Sequence, residues 1–574
     1  MKKITAAILL SFNSLFSFAP VNSQVLIFLP DYPQSYFRDP LGIPISLAAN
    51  FGELRPNHFH MGLDIRTNQR ENLPVYAAAK GYVSKIKIEK SGFGHAIYIN
   101  HPNGYTTLYA HLNKFYDPLE DFVTAKQYAD QQWEQEVDFE PNQFPVEKGQ
   151  LIAYSGNTGG SEGPHLHFEI RDTKTGNNLN PWIFGMGLTD KMPPTIYKLY
   201  YYDRRYSTYQ VKPLPIPIVG DRAKYTSKQS VVTLTSPVVS FGISAEDKIH
   251  ISSFKYGIYE TALSIDGIKR SGFALNNISY DDTRYVNGSI DYKTRASGGP
   301  YIQHLSRLPG NHSTIFSTAA DGKIVLADTL IHTAEILVKD AVGNTSTLTF
   351  KFRWSPSTTD DLVFPQNSIN MAPGKANTLQ MDDIEADFSP KAFYDTVPFV
   401  YSAELSKDTK VVSAIHHLHN FTVPVHDSFM VRIKPTALIP DNLKDRIVMQ
   451  LISNHKIEAV KGQWKEGWME AKFRDLGLVK LLIDTIPPRV AIAGWTNGAN
   501  LRNKKSIAIA TSDNVDDVKS FTAFLDGNWL MFSRKNNTFT HLFDKRTGPG
   551  KHELVVEVED EAGNVTERTY TFTR

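Results

Sequence analysis

Three side chains of the kind that ligate zinc stand in two short motifs of this chain. His60-Met61-Gly62-Leu63-Asp64 supplies an imidazole and a carboxylate, and Gly163-Pro164-His165-Leu166-His167-Phe168-Glu169 supplies two further imidazoles. Zinc takes imidazole nitrogen and carboxylate oxygen, and a catalytic site holds it with three protein ligands while the fourth position is left to water. His60, Asp64 and His167 make such a set, and the second motif adds a candidate base. Hydrolysis is therefore the first chemistry to expect.

That chemistry needs a scaffold, and the surrounding residues read as strands. Period-two alternation runs through Tyr82–Ile88, His95–Asn100 and Tyr105–Ala110. Gly92-Phe93-Gly94 and Pro102-Asn103-Gly104 separate these runs as turns, the second a strong hairpin signal. In a strand, His165 and His167 point to the same face, so one can bind metal while the other reaches a substrate. A helix would turn them apart by about 200°.

Residues 50–183 resemble the lysostaphin-type, LytM-like zinc metallopeptidase domain of cell-wall hydrolases. The resemblance rests on His60-Met61-Gly62-Leu63-Asp64-Ile65, Pro74-Val75-Tyr76-Ala77 with Gly81, Tyr98-Ile99-Asn100-His101 with Gly104, and Tyr109-Ala110-His111-Leu112. It continues through Val146-Glu147-Lys148-Gly149-Gln150, Ser155-Gly156-Asn157-Thr158-Gly159 and His165-Leu166-His167-Phe168-Glu169, in the family's order. It implies one Zn2+ held by His60, Asp64 and His167, with His111 and His165 as the two catalytic histidines. It also implies an endopeptidase that cuts the peptide cross-links of peptidoglycan by attack of zinc-activated water, its partners being the stem peptides. The residues by themselves support peptide or amide hydrolysis in an open antiparallel β groove.

No His-Glu-x-x-His helix occurs, so the glutamate base of the helical metalloproteases is missing. His165 and His111 are left to share the base and oxyanion-stabilising roles, because neutral imidazole titrates near the working pH. Asn157 and Thr158 can offer polar contacts to a substrate or simply shape their turn. His58 reads as flanking the site, His101 as a strand-end residue, and His95 carries no motif support. His416-His417-Leu418-His419 repeats a His-x-His but lacks a His-x-x-x-Asp partner, a preceding Gly-Pro and a following Phe-Glu, so it reads as polar strand or loop. The rival function is a noncatalytic envelope protein that binds peptidoglycan or regulates an amidase through such a domain. Such a binding surface has no chemical need for all five residues.

The chain has 574 residues, beyond what one core organises, and reads as about three or four domains. With 41% hydrophobic and 11% aromatic residues it has ample core-forming surface. Lys+Arg 61 against Asp+Glu 60 favours neither nucleic acid nor an anionic membrane as partner. Lys2 and Lys3, an apolar stretch to about Phe18 and Val21-Asn22-Ser23 have the parts of a secretory signal over 1–23, too short and broken for a spanning helix. No later stretch reads as a transmembrane segment. Zero cysteines exclude disulfides and thiolate metal sites. These features point to export, to the periplasm or cell envelope of a bacterium.

The fold class expected is all-β: an antiparallel peptidase domain over 24–190, then β-sandwich domains. An insertion over 117–144, helical, acidic and aromatic, separates His111 from the next motif and reads as a neutral surface excursion or as a lid, a substrate wall or a docking site for a partner. Residues 191–224 read as a linker entered through Pro193-Pro194. Val338-Lys339-Asp340-Ala341-Val342-Gly343-Asn344 and Val558-Glu559-Asp560-Glu561-Ala562-Gly563-Asn564 repeat a hairpin, each downstream of an Asp-Gly turn (Asp266-Gly267, Asp526-Gly527) and a Pro-Gly turn (Pro309-Gly310, Pro549-Gly550). They resemble immunoglobulin-like sandwiches, placed at 225–355 and 487–574, with a β-rich domain of uncertain type at 360–485. These modules read as spacers or stability modules, or else as domains that bind the envelope, dock an envelope protein partner or regulate the peptidase.

Overall fold

The computed structural model describes residues 31–186, 189–221, 223–249, 253–317, 320–356, 367–436 and 438–574. The expected signal over 1–23 lies outside them. The alternating runs form consecutive antiparallel strands, Gly81–Ile88, His95–Asn100 and Tyr105–Ala110, in a register that sets Ile97 opposite both Ile86 and Tyr109. Gly104 takes the left-handed conformation (φ 83°) that the Asn-Gly turn requires. The alternation buries Val83, Ile86, Ile97, Ile99 and Tyr109 completely. Burying such side chains contributes about 1.5–3 kcal/mol each.

These strands belong to an antiparallel sheet ordered Leu47–Ala49, Leu63–Arg66, His165–Asp172, Tyr105–Ala110, His95–Asn100, Gly81–Ile88, Gln135–Asp138. A second sheet joins Pro74–Tyr76, Leu151–Ser155 and Leu112–Phe115. The His165–Asp172 strand is central. It pairs with Leu63–Arg66 on one side and Tyr105–Ala110 on the other, so that His167 lies opposite both Asp64 and Ala110. Two residues far apart in sequence are thereby fixed as cross-strand neighbours.

The 117–144 insertion divides into a helix, Asp117–Asp130, and a strand, Gln135–Asp138, that adds to the sheet edge beside Gly81–Ile88. Pro118 suits the helix's first turn, and Gln131 closes it in the left-handed region (φ 52°). Tyr128 of the helix packs edge-on against Trp529 (5.2 Å between ring centroids) and lies under the Arg546 guanidinium at 3.6 Å. The insertion thus docks on the last module of its own chain.

Beyond it the described residues form three β modules, each with two sheets around its own core. The first begins at Thr195, inside the stretch expected as linker. Thr195–Asp203, Leu214–Ile216, Ile218–Asp221 and Lys224–Ser227 are all strands of its sheets. Pro213, Pro215 and Pro217 are accommodated because Leu214–Ile216 is an edge strand, where a missing N–H costs no ladder bond. The second module places a six-stranded sheet against a five-stranded one between Ser368 and Ile483, and the last a four-stranded against a five-stranded one between Arg489 and Thr573. Asp266-Gly267 and Asp526-Gly527 both have positive φ at the two turn residues, the tight hairpin geometry expected of Asp-Gly. Among the described residues no helix is long and apolar enough to cross a membrane.

The first domain and the first module share a seam. Phe51, Phe59 and Met61 are buried in the same apolar cluster as Leu275, Phe273 and Ile336 of that module. Phe59 and Met61 flank His60, so burial of this pair pins the first motif.

Candidate metal centre

Antiparallel register brings Asp64 and His167 together, and the anchored loop before the Leu63–Arg66 strand delivers His60. The three donor atoms form a nearly equilateral triangle. His60 Nε2 lies 3.0 Å from Asp64 Oδ1 and 3.0 Å from His167 Nδ1, and His167 Nδ1 lies 2.9 Å from Asp64 Oδ1. Donors at tetrahedral angles about a zinc ion with bonds of about 2.0 Å would stand about 3.3 Å apart. All three residues are buried. Gly62 allows the approach, since a Cβ there would stand 2.4 Å from the Phe168 carbonyl oxygen and 3.0 Å from His167 Cε1.

The protons of this triangle point outward. His60 Nδ1 donates to the Asn50 carbonyl (2.7 Å), which leaves Nε2 with a bare lone pair. His167 Nε2 donates to Glu169 Oε1 (2.9 Å), which leaves Nδ1 bare. Two lone pairs and a carboxylate oxygen therefore face one another with no proton to share. A cation resolves that conflict, and the outer carbonyl and carboxylate are the partners that fix a ligating imidazole's tautomer. Arg55 Nη2 takes the other Asp64 oxygen at 2.5 Å, leaving Oδ1 to the triangle.

The electrostatics agree. Burial pushes the His60 imidazole down to about 4. Burial opposes charge on Asp64 too, but the neighbouring imidazoles, His60 first and then His165 and His167, outweigh it and hold the carboxyl well below the usual carboxylate range. Burial likewise opposes charge on His167, yet the Asp64 and Glu169 carboxylates on either side favour its protonation and raise it to about 9. The centre of the triangle thus demands positive charge, which a proton on His167 or a metal ion can supply.

Glu169 is fully buried and closely held. It accepts from His167, from Arg171 Nε at 2.7 Å and from the Tyr280 hydroxyl at 2.5 Å. Arg171 above all keeps its carboxyl down to about 2 against the cost of burial. Tyr280 belongs to the first β module, so the module reaches the second layer of the centre.

His111 and His165 stand beside the triangle with ring centroids 4.7 Å apart. His111 follows the Tyr105–Ala110 strand at φ 60°, and its Nδ1 donates to the Thr158 carbonyl at 2.9 Å. His165 Nδ1 donates to the Gly163 carbonyl at 2.8 Å, and its Nε2 stands 3.4 Å from Asp64 Oδ1. Both rings therefore carry a bare Nε2 able to take a proton. Burial, reinforced by His165 and His167, pushes His111 down to about 3, so it is neutral at pH 7.

The comparisons with known proteins match this region. Residues 58–129 and 134–181 fit the model of Peptidase family M23, and residues 369–484 fit that of a Zu5-like domain. The chain carries an M23 peptidase domain. A protein named "Uncharacterized metalloprotease" from Haemophilus influenzae is 35% identical over 144 residues, 25% of this chain and 23% of that protein. DD-carboxypeptidase/endopeptidase Mpg of Neisseria meningitidis serogroup B is 35% identical over 122 residues, 21% of this chain and 22% of the relative. The chain thus spans under a quarter of the length of these relatives. The catalytic domain of the antimicrobial peptidase lysostaphin from Staphylococcus simulans overlays 24% of this chain and 91% of its own, at 23% identity and a TM-score of 0.18.

Within the M23 domain the five expected residues converge, and the bystanders stand apart. His101 is buried between the Lys80 carbonyl and Thr107 Oγ1 (2.8 Å each). His58 Nδ1 turns to Pro56. His416 packs beside Tyr401 in the Ala414–Leu418 strand of the Zu5-like module, where among the described residues no metal-binding cluster forms. The Thr158 carbonyl orients His111 while its hydroxyl ties the His95 N–H to the Leu112 carbonyl, and the Asn157 carbonyl accepts from Lys535 Nζ of the last module at 2.7 Å. Four contributors carry no role in the sequence reading: Asn50, Arg55, Arg171 and Tyr280. Glu169 and Arg171 continue the every-second-residue face of His165 and His167, a signal present in the sequence. Arg55 and Tyr280 lie on no motif.

Proposed function

We propose that this chain is an exported zinc metalloendopeptidase that hydrolyses peptide cross-links of peptidoglycan. The observation that carries the reading is the triangle of His60 Nε2, Asp64 Oδ1 and His167 Nδ1, its protons tied outward, beside two imidazoles with bare Nε2 atoms. An all-nitrogen-and-oxygen donor set of this size suits zinc. When bound, the ion supplies Lewis-acid polarisation of a peptide carbonyl and makes water more acidic.

The protein supplies the rest. Asn50, Glu169 and Arg55 hold the three donors in their ligating orientation. His111 and His165 accept and return the protons of the hydrolysis at Nε2 and hydrogen-bond the oxygen on which negative charge develops. Their Nδ1 anchors to Thr158 and Gly163 fix the two rings, leaving each Nε2 free of those backbone bonds beside the triangle that would hold the metal. The curated relatives named metalloprotease and DD-carboxypeptidase/endopeptidase support peptide chemistry on the wall. The 1–23 segment supports export, and the modules at 195–354 and 489–573 read as immunoglobulin-like sandwiches. The test is digestion of purified sacculi by the zinc-loaded protein. Release of fragments with cleaved stem-peptide cross-links is expected, and a zinc-bound protein that releases nothing would leave the noncatalytic regulator.

A further inference from the structure

Outside the M23 centre, three carboxylates meet where the chain enters the first β module. Asp190 precedes Pro193-Pro194, Asp247 follows the Val238–Glu246 strand, and Asp340 opens the turn after His332–Lys339. Each contributes an oxygen within 4.8 Å of the other two. Asp247 is 1% exposed and Asp340 3%. Among the described residues, no lysine, arginine or histidine pairs with any of the three.

Clustered acids alone would mean little, but two oxygens here lack partners. Asp247 Oδ1 is buried with no hydrogen-bond donor among the described residues, and so is Asp190 Oδ2. Asp340 is by contrast fully oriented. Its Oδ1 accepts from the Val342 and Asn344 backbone and its Oδ2 from the Asn344 side chain (2.7 Å), which fixes it toward the others. An unpartnered buried carboxylate oxygen is costly, and two of them beside a third carboxylate cost more. Something positive belongs between them.

The arrangement is built twice. Asp484 precedes Pro487-Pro488, Asp513 follows the Ser506–Ser512 strand and Asp560 opens the turn after Lys551–Glu559, again within 4.8 Å of one another. Asn564 grips Asp560 as Asn344 grips Asp340. The Pro194 and Pro488 carbonyls accept equivalent hydroxyl bonds from Ser346 and Thr566.

We propose that Asp190, Asp247 and Asp340 bind a calcium ion that locks the exit of the peptidase domain onto the first β module. The donors are all oxygen, the signature of a hard cation. Calcium is favoured over magnesium because magnesium keeps several waters, whereas Asp247 and Asp340 are buried. The ion would clamp three segments whose neighbouring backbone already meets through the Thr195–Glu246 pairing and the Ser346–Pro194 bond, one of them the stretch leaving the M23 domain. The competing occupant is a proton on Asp247.

The test is calorimetric titration of Ca2+ into the zinc-loaded full chain carrying Asp513→Asn, which silences the second trio. One equivalent is expected, with Kd in the millimolar to tenth-millimolar range of about 10⁻⁴–10⁻³ M typical of extracellular modules, and calcium should raise Tm. Adding Asp247→Asn should weaken binding at least about 30-fold and abolish the Tm response while the protein stays folded. Should Asp247→Asn fold poorly, Asp190→Asn at the half-buried position should give the same loss. No heat and no Tm change up to about 10 mM Ca2+ would overturn the site in favour of the proton. Tighter binding of Mg2+ than Ca2+ would overturn the choice of ion.

Discussion

Tyr280→Phe isolates the part the first β module plays in the metal centre. The substitution removes one hydroxyl and keeps the ring, which packs against Phe93 (5.9 Å) and under the Arg171 guanidinium (4.8 Å). What is lost is a 2.5 Å bond to the fully buried Glu169 carboxylate, itself the acceptor for His167 Nε2. A hydrogen bond to a charged group contributes about 1.5–3 kcal/mol, and losing a partner behind a metal ligand typically costs about 10–100-fold in affinity. The two ranges agree, since a tenfold change is about 1.4 kcal/mol. Competition with a zinc chelator should therefore show Kd for zinc weakened by about 10–100-fold, while kcat at saturating zinc changes little. A Kd within about twofold of the parent's would refute the argument that Tyr280 acts through Glu169.

Four further outcomes follow from the same geometry. His111→Ala and His165→Ala should each lower turnover by about 10²–10⁴-fold with zinc still bound in equal amount; retained activity would remove those roles. Gly62→Ala forces a Cβ against the Phe168 carbonyl (2.4 Å) and should cost about 1–3 kcal/mol in denaturant unfolding, an unchanged midpoint being the contrary result. Burial lowers His95 to about 4, so the unfolded chain takes up a proton that the folded one refuses between pH 6.5 and about 4. Stability contributed above pH 6.5 is thus lost on acidification by about 1.4 kcal/mol per pH unit, and His95→Phe should flatten that slope unless parallel curves show the imidazole is not its source. Tyr128→Ala and Arg546→Ala should couple by about 0.5–1 kcal/mol in a double-mutant cycle of thermal unfolding, and strict additivity would mean the insertion does not depend on that contact.

Much of the first domain is legible because its signals are local. Alternation marks the strands around Val83, Ile97 and Tyr109, and Asn103-Gly104 marks their hairpin. The register that sets His167 opposite Asp64 is a long-range fact, yet the two motifs carry it in their residue types. The linker reading of 191–224 failed for a physical reason: three prolines and a Pro-Pro pair look like breaks, but Pro213, Pro215 and Pro217 lie at a sheet edge. The Zu5-like module was legible only as β-rich, having no internal repeat. Tyr280 could not be found at all, because 111 residues separate it from Glu169 and only packing of the module against the seam at Phe59 and Met61 brings it near. The paired aspartates were visible as turn residues in Asp340-Ala-Val-Gly-Asn344 and Asp560-Glu-Ala-Gly-Asn564. Their partners Asp190 and Asp484 join them only through the fold.

The measurement that bears most directly on the central claim is metal content and sacculus digestion on the same preparations of the parent chain, Asp64→Ala and a chelator-stripped sample restored with zinc. One zinc per chain, cross-link cleavage that vanishes with the metal and returns on its restoration, and an Asp64→Ala protein that holds no zinc are the results expected. Cleavage that persists in the stripped protein, or a folded parent chain that takes up no zinc, would contradict the account.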